Sequence, residues 1–355
     1  MKKSLRLSIA SSQPEVEYPP VTVIIPARNE ADNIANLIDG LKQQDYPEDK
    51  IMFRIIDDFS TDNTFEIVSG TIENDIRFKI LKLSEQKEFL AETPLSSKKR
   101  VIDFGIKKAG TDVLLFTDAD CIVSPTWVSS MVRKLSEDYS IVAGYVGFRY
   151  GTFIEGILAL ESLATRIIAS GSIGLGGAVT CSGGNLCYRK SVYEKIGGLE
   201  KFGSSFSGDD TLFIQEAINK GAKAVFNFDS KSFVYTRERG TIKDIFIQRL
   251  RRLGITTNFK LNMFLASGFL FLYCYLLALT PILIIADNTL TMSLLTTWIW
   301  KFIVDLIILR FGARIFQNRD LLKFLPVTGL IYPYYIAIVG TFSFAIKGSW
   351  KGRTS

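Results

Sequence analysis

Two aspartates one residue apart, Asp118 and Asp120, follow directly after the apolar run 113–116, Val-Leu-Leu-Phe. Such a run predicts a buried β-strand, and ligands of open α/β sheets bind outside the carboxyl ends of the strands. Because alternate side chains of extended backbone point the same way, the two carboxylates can converge on one ligand. Hard oxygen ligands of this kind suit Mg²⁺ or Mn²⁺ bound to a diphosphate. A solvated polar turn is the alternative.

Histidine is absent from the 355-residue chain. Its absence excludes a Ser-His-Asp triad, a histidine base and every His-ligated metal site, so acid–base chemistry falls to carboxylates. The four cysteines show no Cys-x-x-Cys spacing, which argues against a zinc site and a disulfide framework. The net charge is +6, and the basic residues lie near apolar runs, which indicates an anionic membrane face rather than nucleic acid.

A second pair of carboxylates, Asp57 and Asp58, follows a strand predicted over residues 52–56. A carboxylate at such a strand end can accept hydrogen bonds from a base or a ribose. The Ser-Thr-Asp segment at residues 60–62 can cap the helix that follows, and helix capping is the competing explanation for this polar cluster.

Three further charged clusters follow apolar runs. The Lys-Lys-Arg run at 98–100 can neutralise phosphate or form a solvated face. Asp209 and Asp210 begin a predicted helix, where a carboxylate can cap the helix or act as a general base. The Gln-Arg-Leu-Arg-Arg cluster at 248–252 precedes a long apolar run and fits the cytoplasmic flank of a membrane segment.

Short β-rich runs alternate with helical patterns along residues 21–116, which predicts a mostly parallel sheet with helices on both faces. The predicted strands are residues 21–25, 52–56, 78–83 and 113–116, and the predicted helices are residues 31–43, 65–72 and 101–109. An amphipathic helix is predicted over residues 153–168, where it covers the sheet or lies on a membrane surface. The glycine-rich segment 171–184 lacks the strand–turn–helix context of a dinucleotide fingerprint.

Long apolar runs after residue 262 predict membrane segments over residues 264–286, 292–309 and 324–346. Asp287 is the only charged residue between the first two runs. The positive-inside rule therefore places this connection outside the cell and residues 1–262 in the cytoplasm. Three full spans would leave a basic C-terminal tail outside, so the third run is re-entrant or the rule fails there. The predicted organisation is a tail at 1–20, a catalytic domain at 21–235, an interfacial segment at 236–262, a membrane region at 263–346 and a basic tail at 347–355.

In their order along the chain, these motifs resemble those of the inverting glycosyltransferases of family 2, which have the GT-A fold. The resemblance covers roughly residues 20–260. The matching motifs are Val-Ile-Ile-Pro-Ala-Arg-Asn-Glu at 23–30, Asp-Asp-Phe-Ser-Thr-Asp at 57–62, Thr-Asp-Ala-Asp at 117–120, Ser-Gly-Gly-Asn at 182–185 and Gly-Asp-Asp at 208–210. The Gln-x-x-Arg-Trp motif is matched in part, because Arg252 stands where the family has tryptophan. This departure puts polymer synthesis in doubt.

The resemblance implies a role for each matching residue. Asp58 would contact the uracil, Lys98 the diphosphate and Asp118 the nucleotide. Asp120 would bind Mg²⁺ or Mn²⁺, and Asp210 would be the catalytic base. Further substrate contacts are implied for Pro26, Arg28, Glu30, Gly184, Asn185, Asp209, Gln248, Arg249 and Arg251.

The resemblance also implies a GT-A catalytic domain of the α/β class, with a Rossmann-like, mixed but mostly parallel sheet, followed by C-terminal transmembrane helices. We expect inverting, metal-dependent transfer from a nucleotide sugar, such as a UDP-sugar, to a lipid or lipid-linked glycan. The expected place is the cytoplasmic face of the inner (plasma) membrane, in a multi-pass protein without a nucleic-acid partner. The alternatives are a processive polysaccharide synthase of the same family and a small transporter that uses Lys301 and Asp305 within an apolar run.

Overall fold

The computed structural model describes residues 18–95, 97–202, 209–237 and 261–343, together with residues 349–350 and 353–354. Seven strands form the main sheet: β1 (Val21–Ala27), β2 (Ile51–Asp57), β3 (Phe78–Lys82), β4 (Val113–Phe116), β5 (Ile141–Gly144), β7 (Leu186–Arg189) and β8 (Ala224–Asn227). Strands β6 (Val146–Arg149) and β9 (Val234–Arg237) pair in a separate two-stranded sheet. A last pair of short strands joins Ser349–Trp350 to Arg353–Thr354.

The main sheet has the strand order β3-β2-β1-β4-β7-β5-β8. Strand β7 is antiparallel to both β4 and β5, whereas the other neighbouring strands are parallel. The predicted mixed, mostly parallel sheet is therefore confirmed. Because β7 runs in reverse, the residues that precede it lie at the edge where β1 and β4 end, and Phe116 pairs with Leu186.

Eight helices flank the sheet: α1 (Ile34–Lys42), α2 (Thr64–Thr71), α3 (Lys87–Glu92), α4 (Ser97–Lys108), α5 (Trp127–Val132), α6 (Phe153–Gly174), α7 (Lys190–Ile196) and α8 (Asp209–Asn219). Alternate side chains of β1 point to opposite faces of the sheet, so the hydrophobic core has two parts. Val23 and Ile25 pack with α1 on one face, and Ile24 packs with α4 and α6 on the other. At Gly105 of α4 an added Cβ would lie 2.6 Å from Ile24, so this helix sits directly on the strand.

All four predicted helices have different bounds in the structure, and two of them differ by four residues or more at one end. Helix α4 begins at Ser97 rather than at residue 101, because the polar first turn is held by tertiary contacts that the apolar pattern does not show. Helix α6 continues to Gly174, six residues beyond the predicted end. Its start is fixed by a capping box, in which Thr152 accepts from the Glu155 N–H and the Glu155 side chain accepts from the Thr152 N–H.

Within the described residues, four helices follow the sheet domain: α9 (Leu261–Ala278), α10 (Thr280–Ala286), α11 (Thr291–Ile315) and α12 (Leu325–Ser343). In the described part of the chain, Asn288–Ile315 and Arg319–Thr341 are long and apolar enough to cross a membrane. Helices α9 and α10 meet at a bend of 49°, so they form a broken third span or a re-entrant pair. The bend thus lies in the first apolar run.

The third run is one helix that continues through Pro333. Proline has no N–H, so the carbonyl four residues earlier, that of Gly329, loses its helical partner. Lys301 of α11 donates to this carbonyl at 2.6 Å and pairs with Asp305 at 2.5 Å. The two charges within the apolar helix thus help to hold α11 and α12 together, a structural role that weakens the transporter alternative.

Helices α11 and α12 and the segment between them pack against the sheet domain through α6. The Phe324 ring lies so close to Gly156 that a Cβ there would be 2.1 Å from the ring. Farther along α6, Ile167 packs against Gly312 of α11 in the same close manner. Beside these contacts Phe316 stacks on Tyr145 with ring centroids 4.5 Å apart. The two parts of the chain are therefore joined by close packing.

Candidate active site

The carboxylate of Asp58 lies at the end of β2 and is fully buried. Arg28 Nη1 is 3.8 Å from its Oδ2 atom, and Arg100 Nη2 is 3.6 Å from its Oδ1 atom. Arg28 also donates to the Asp58 carbonyl at 3.0 Å. Two guanidinium groups thus compensate a buried negative charge and fix its orientation.

The loops after β1 and β2 are joined by hydrogen bonds. The Asn29 N–H donates to Ser60 Oγ at 3.1 Å, and the Thr61 N–H donates to Asn29 Oδ1 at 2.8 Å. The Glu30 N–H donates to Thr64 Oγ1 at 2.8 Å. Asn29 has a φ of 52°, in the left-handed region that asparagine tolerates better than most residues. The two loops therefore form one rigid wall beside Asp58.

Hydrogen bonds within the fold account for another carboxylate of this segment, that of Asp62, while the N-cap residue of α2 is Asn63. Its Oδ1 atom accepts from the Thr64 N–H at 3.1 Å, and its Oδ2 atom accepts from the Ala31 N–H at 3.2 Å. Burial raises the pKa of Asp62, but the hydrogen bonds from Thr64 and Ala31 outweigh burial and hold the pKa below its usual value. Asp62 thus serves the fold at the start of α2.

The three basic residues at the start of α4 have three different partners. Lys98 forms an ion pair with Asp118, just beyond the end of β4. Lys99 is buried and donates to the Phe202 carbonyl, and Arg100 reaches Asp58. The predicted phosphate-neutralising role therefore concerns Lys98, while Lys99 and Arg100 are engaged elsewhere.

Asp120 lies in the most negative part of the site. Thr236 donates to Asp120 Oδ2 at 3.0 Å. Burial and the negative charges of Asp118 and Glu30 raise the pKa of Asp120 to about 6. Thr236 had no role in the sequence analysis, because its strand β9 lies more than a hundred residues after Asp120 and carries no recognisable motif.

These residues fit a divalent cation. The donors are hard carboxylate oxygens, and a cation would relieve the repulsion that raises the pKa of Asp120. Within the described residues, no group of three or more Cys, Asp or Glu side chains converges to hold an ion unaided. The remaining ligands would be oxygens of a bound diphosphate and water, as is usual for Mg²⁺.

Asp210 lies in the first turn of α8, and its Oδ2 atom accepts a hydrogen bond from the Gly183 N–H at 2.7 Å. A Cβ on Gly183 would lie 2.5 Å from the carboxylate oxygens. A Cβ on the next residue, Gly184, would lie 3.2 Å from Asp118 Oδ2. Glycine at both positions lets the backbone approach the two carboxylates.

One pocket brings four of the predicted site residues together. Pro26, Lys98, Asp118 and Asp210 line it together with Gly183, whereas Asp58 and Asp120 are not among its lining residues. Its apolar wall is formed by Ile102, Phe116, Leu186, Tyr188, Leu199 and Phe213. A carboxylate, an ion pair and apolar surface thus share a cleft at the carboxyl ends of β1 and β4.

Asn185 does not lie in this pocket as a sugar contact. It is fully buried, and its side-chain nitrogen donates to the carbonyls of Tyr145 at 2.9 Å and Ser232 at 2.8 Å. Trp127 Nε1 donates to its oxygen at 2.9 Å. The expected substrate contact is corrected to a structural role, because three internal partners use the amide.

Four predicted residues lie outside what the structure describes. Gln248, Arg249 and Arg251 belong to residues 238–260, beyond the described ranges. Asp209 begins α8, but its side chain is outside the description.

Models of two related families match the chain. The model of glycosyl transferase family 2 matches residues 22–197, and the model of glycosyl transferase family group 2 matches residues 113–345. The chain belongs to glycosyl transferase family 2. It is accordingly a glycosyltransferase with a GT-A catalytic domain.

Curated relatives of this glycosyltransferase include glycosyltransferase AglE of Haloferax volcanii, which is 26% identical over 271 residues, or 71% of this chain and 82% of AglE. The Bacillus subtilis protein YdaM is 27% identical over 187 residues, or 51% of this chain and 43% of YdaM. The chain thus spans less than half the length of YdaM.

Among solved structures, the mannosyltransferase PcManGT of Pyrobaculum calidifontis, in complex with GDP-Man and Mn²⁺, matches with a TM-score of 0.58 at 16% identity. The match covers 95% of this chain and 89% of PcManGT. At this level of identity it shows that the two proteins share a fold.

Proposed function

We propose that this glycosyltransferase moves a sugar, with inversion, from a nucleotide sugar to a hydroxyl of a lipid or lipid-linked acceptor at the cytoplasmic face of the membrane. The supporting observation is the pocket that Lys98, Asp118 and Asp210 line together. It combines a cation for the diphosphate with a separate carboxylate for the acceptor. Apolar walls exclude water, which strengthens each of these charges.

The base and ribose of the donor are assigned to the wall that the two joined loops form. Asp58, held by Arg28 and Arg100, offers acceptor oxygens in a fixed position for the N–H of a base such as uracil. Glu30 and Pro26 continue this wall toward the diphosphate. A structure of the same fold contains GDP-Man, which supports a nucleotide sugar as the class of donor.

Asp118 and Asp120 would hold Mg²⁺ or Mn²⁺, and PcManGT was determined with Mn²⁺. When bound, the cation neutralises the charge that develops on the leaving nucleoside diphosphate. Lys98 adds a second positive charge beside Asp118. Thr236 keeps the carboxylate of Asp120 turned toward the site through its hydrogen bond.

Asp210 is assigned as the general base. Its carboxylate takes the proton of the acceptor hydroxyl while the hydroxyl oxygen attacks the anomeric carbon from the face opposite the leaving group. One displacement inverts the configuration, so an α-linked donor gives a β-linked product. The Gly183 N–H fixes the carboxylate in the orientation that this proton transfer needs.

Helices α11 and α12 are long and apolar enough to cross a membrane, which supports a membrane location for this activity, and we assign a multi-pass topology in the inner membrane. Arg310 and Arg314 at the end of α11 are exposed, which supports a cytoplasmic position for that end. A catalytic domain packed onto these helices would lie against the bilayer. A lipid or lipid-linked acceptor is therefore the partner that this arrangement favours.

The test is to incubate membranes that contain the protein with labelled nucleotide sugars and Mg²⁺ or Mn²⁺, and to separate lipid-extractable from polymeric product. Lipid-borne label that depends on Asp210 supports the proposal. An ethanol-insoluble polymer would establish the polysaccharide synthase instead. Asp210→Asn should abolish transfer and retain donor binding, whereas normal turnover by this variant would disprove the assigned base.

A further inference from the structure

An apolar stripe runs along helix α6 in the described structure. It consists of Phe153, Ile157, Ala164, Ile168 and Leu175, the last of which follows the helix directly. Ile157 and Ala164 are half-buried against the core, and the other three residues are exposed. At 3.6 residues per turn, these positions fall within about 60° of one another. Phe153 is 57% exposed, Ile168 50% and Leu175 92%. The outward face of a helix that covers a soluble sheet carries polar residues instead.

The α6 stripe lies next to the helices assigned to the membrane. On the adjoining side of α6, Ile167 packs against Gly312 of α11, and Gly156 packs against Phe324. Ile168, which follows Ile167, is 50% exposed, and Phe311, which precedes Gly312, is 66% exposed. Exposed apolar side chains of α6 and α11 thus lie beside the same interhelical contact.

Charges beside the α6 stripe indicate the level of the lipid headgroups. Arg310 and Arg314 lie one turn apart at the end of α11, on either side of Gly312, and both are exposed. Arginines at this place favour anionic lipid headgroups, and an adjoining apolar helix surface favours the boundary between headgroups and acyl chains.

We infer that the α6 stripe is an interaction surface for an anionic lipid bilayer, so that the catalytic domain lies on the membrane along the length of α6. This inference rests on the proposed membrane placement of α11 and α12. It has a consequence for the site, because the chain leaves the end of α6 and reaches Gly183, the partner of Asp210, eight residues after Leu175.

The test measures the surroundings of spin labels in nanodiscs of phosphatidylcholine and phosphatidylglycerol. Nitroxides are attached at Ile168→Cys and Leu175→Cys, with Ile307→Cys as the lipid control and Lys223→Cys as the water control. Ile307 is 63% exposed on α11, and the side chain of Lys223 is 68% exposed on the catalytic domain. Because the side chains to be replaced are exposed, folding is expected to be retained. The unsubstituted chain, treated with the same reagent, corrects for native cysteines.

We expect labels at residues 168 and 175 to resemble the label at 307, with high collision rates for oxygen and low rates for a water-soluble nickel chelate. If the labels at residues 168 and 175 are as accessible to nickel as the label at 223, and the label at 307 is exposed to lipid, the inference is overturned and the membrane placement is upheld. If residue 307 is also open to nickel, the membrane placement itself fails. Spin–spin broadening, which indicates a second copy, or shielding from both reagents, which indicates a covering protein segment, would also overturn the inference.

Discussion

The Gly183 N–H donates a hydrogen bond to Asp210 Oδ2 over 2.7 Å, which joins the loop before β7 to the first turn of α8. The two residues come from different elements and meet because β7 is antiparallel to its neighbours. A strand that entered the sheet in the other direction would carry this loop to the opposite edge, away from Asp118. The reversed strand thus brings the proposed base into the pocket.

Gly183→Ala should lower kcat about a hundredfold, because a Cβ would lie 2.5 Å from the Asp210 oxygens and displace them. Donor KM should change little, since this contact is with the base. Steady-state kinetics with both substrates measures the two effects. Gly70→Ala is the control, because an added Cβ at Gly70 meets nothing within 4 Å. Unchanged kcat in the Gly183 variant would contradict the role of this contact.

Lys98→Met should raise donor KM and lower kcat, because it removes the cation beside Asp118. We expect kcat/KM to fall by about tenfold to a thousandfold, which is the order of magnitude for the loss of one group that stabilises developing charge. Lys107→Met is the matched control: it removes a lysine of the same helix that pairs with Asp103 at 2.9 Å and does not line the pocket. Equal losses in the two variants would show that Lys98 acts through helix stability alone.

Asp120→Asn should stabilise the metal-free protein at high pH and abolish transfer. The pKa of Asp120 is raised from 3.8 to about 6, so the folded protein binds this proton more tightly than the unfolded chain. Its stability therefore falls as pH rises from about 4 to about 6, by on the order of 2 to 3 kcal/mol, and then stays constant. The uncharged asparagine avoids this loss.

Thermal unfolding in EDTA, measured from pH 4 to pH 8, checks this pH dependence. The difference in Tm between Asp120→Asn and the parent should grow up to about pH 6 and level off. Mn²⁺ should raise the Tm of the parent and not that of the variant, because the variant lacks the metal-binding carboxylate. A variant that is less stable than the parent at pH 8 would contradict the raised pKa.

Lys301→Met should lower the Tm in detergent, because it leaves the Gly329 carbonyl and the Asp305 carboxylate without this lysine in an apolar setting. Pro333→Ala restores an N–H for Gly329, so part of the loss, about 1 kcal/mol, should disappear in the double variant. A double-mutant cycle by thermal unfolding measures this coupling. Additive effects would show that Lys301 does not compensate for the proline.

Features that depend on local pattern could be predicted from the sequence. Strand β4 has the predicted bounds, and Asp118 and Asp210 line one pocket as the family resemblance implied. In both cases the signal lies within a few residues, as an apolar run or a motif. The direction of β7 could not be predicted, since it depends on pairing with strands more than forty residues away.

Long-range contacts also explain the errors. Asn185 belongs to a matching motif, but Trp127, 58 residues earlier, and other partners use its amide inside the core. Lys99 belongs to a basic run that is typical of a solvent-exposed face. Its side chain is nevertheless buried and donates to the Phe202 carbonyl, 103 residues away. A single sequence does not show such partners, so these side chains were assigned by type rather than by contact.

The packing of Phe324 on Gly156 and of Ile167 on Gly312 fixes the catalytic domain closely against the C-terminal helices. A catalytic domain on a flexible tether could reach acceptors of many lengths. A domain that is packed against the helices keeps its active site at a constant distance from the membrane. We therefore expect a reactive hydroxyl to be accepted only at one distance from its lipid anchor. Products one sugar longer would carry their new hydroxyl beyond that distance, so the enzyme would stop after a single addition.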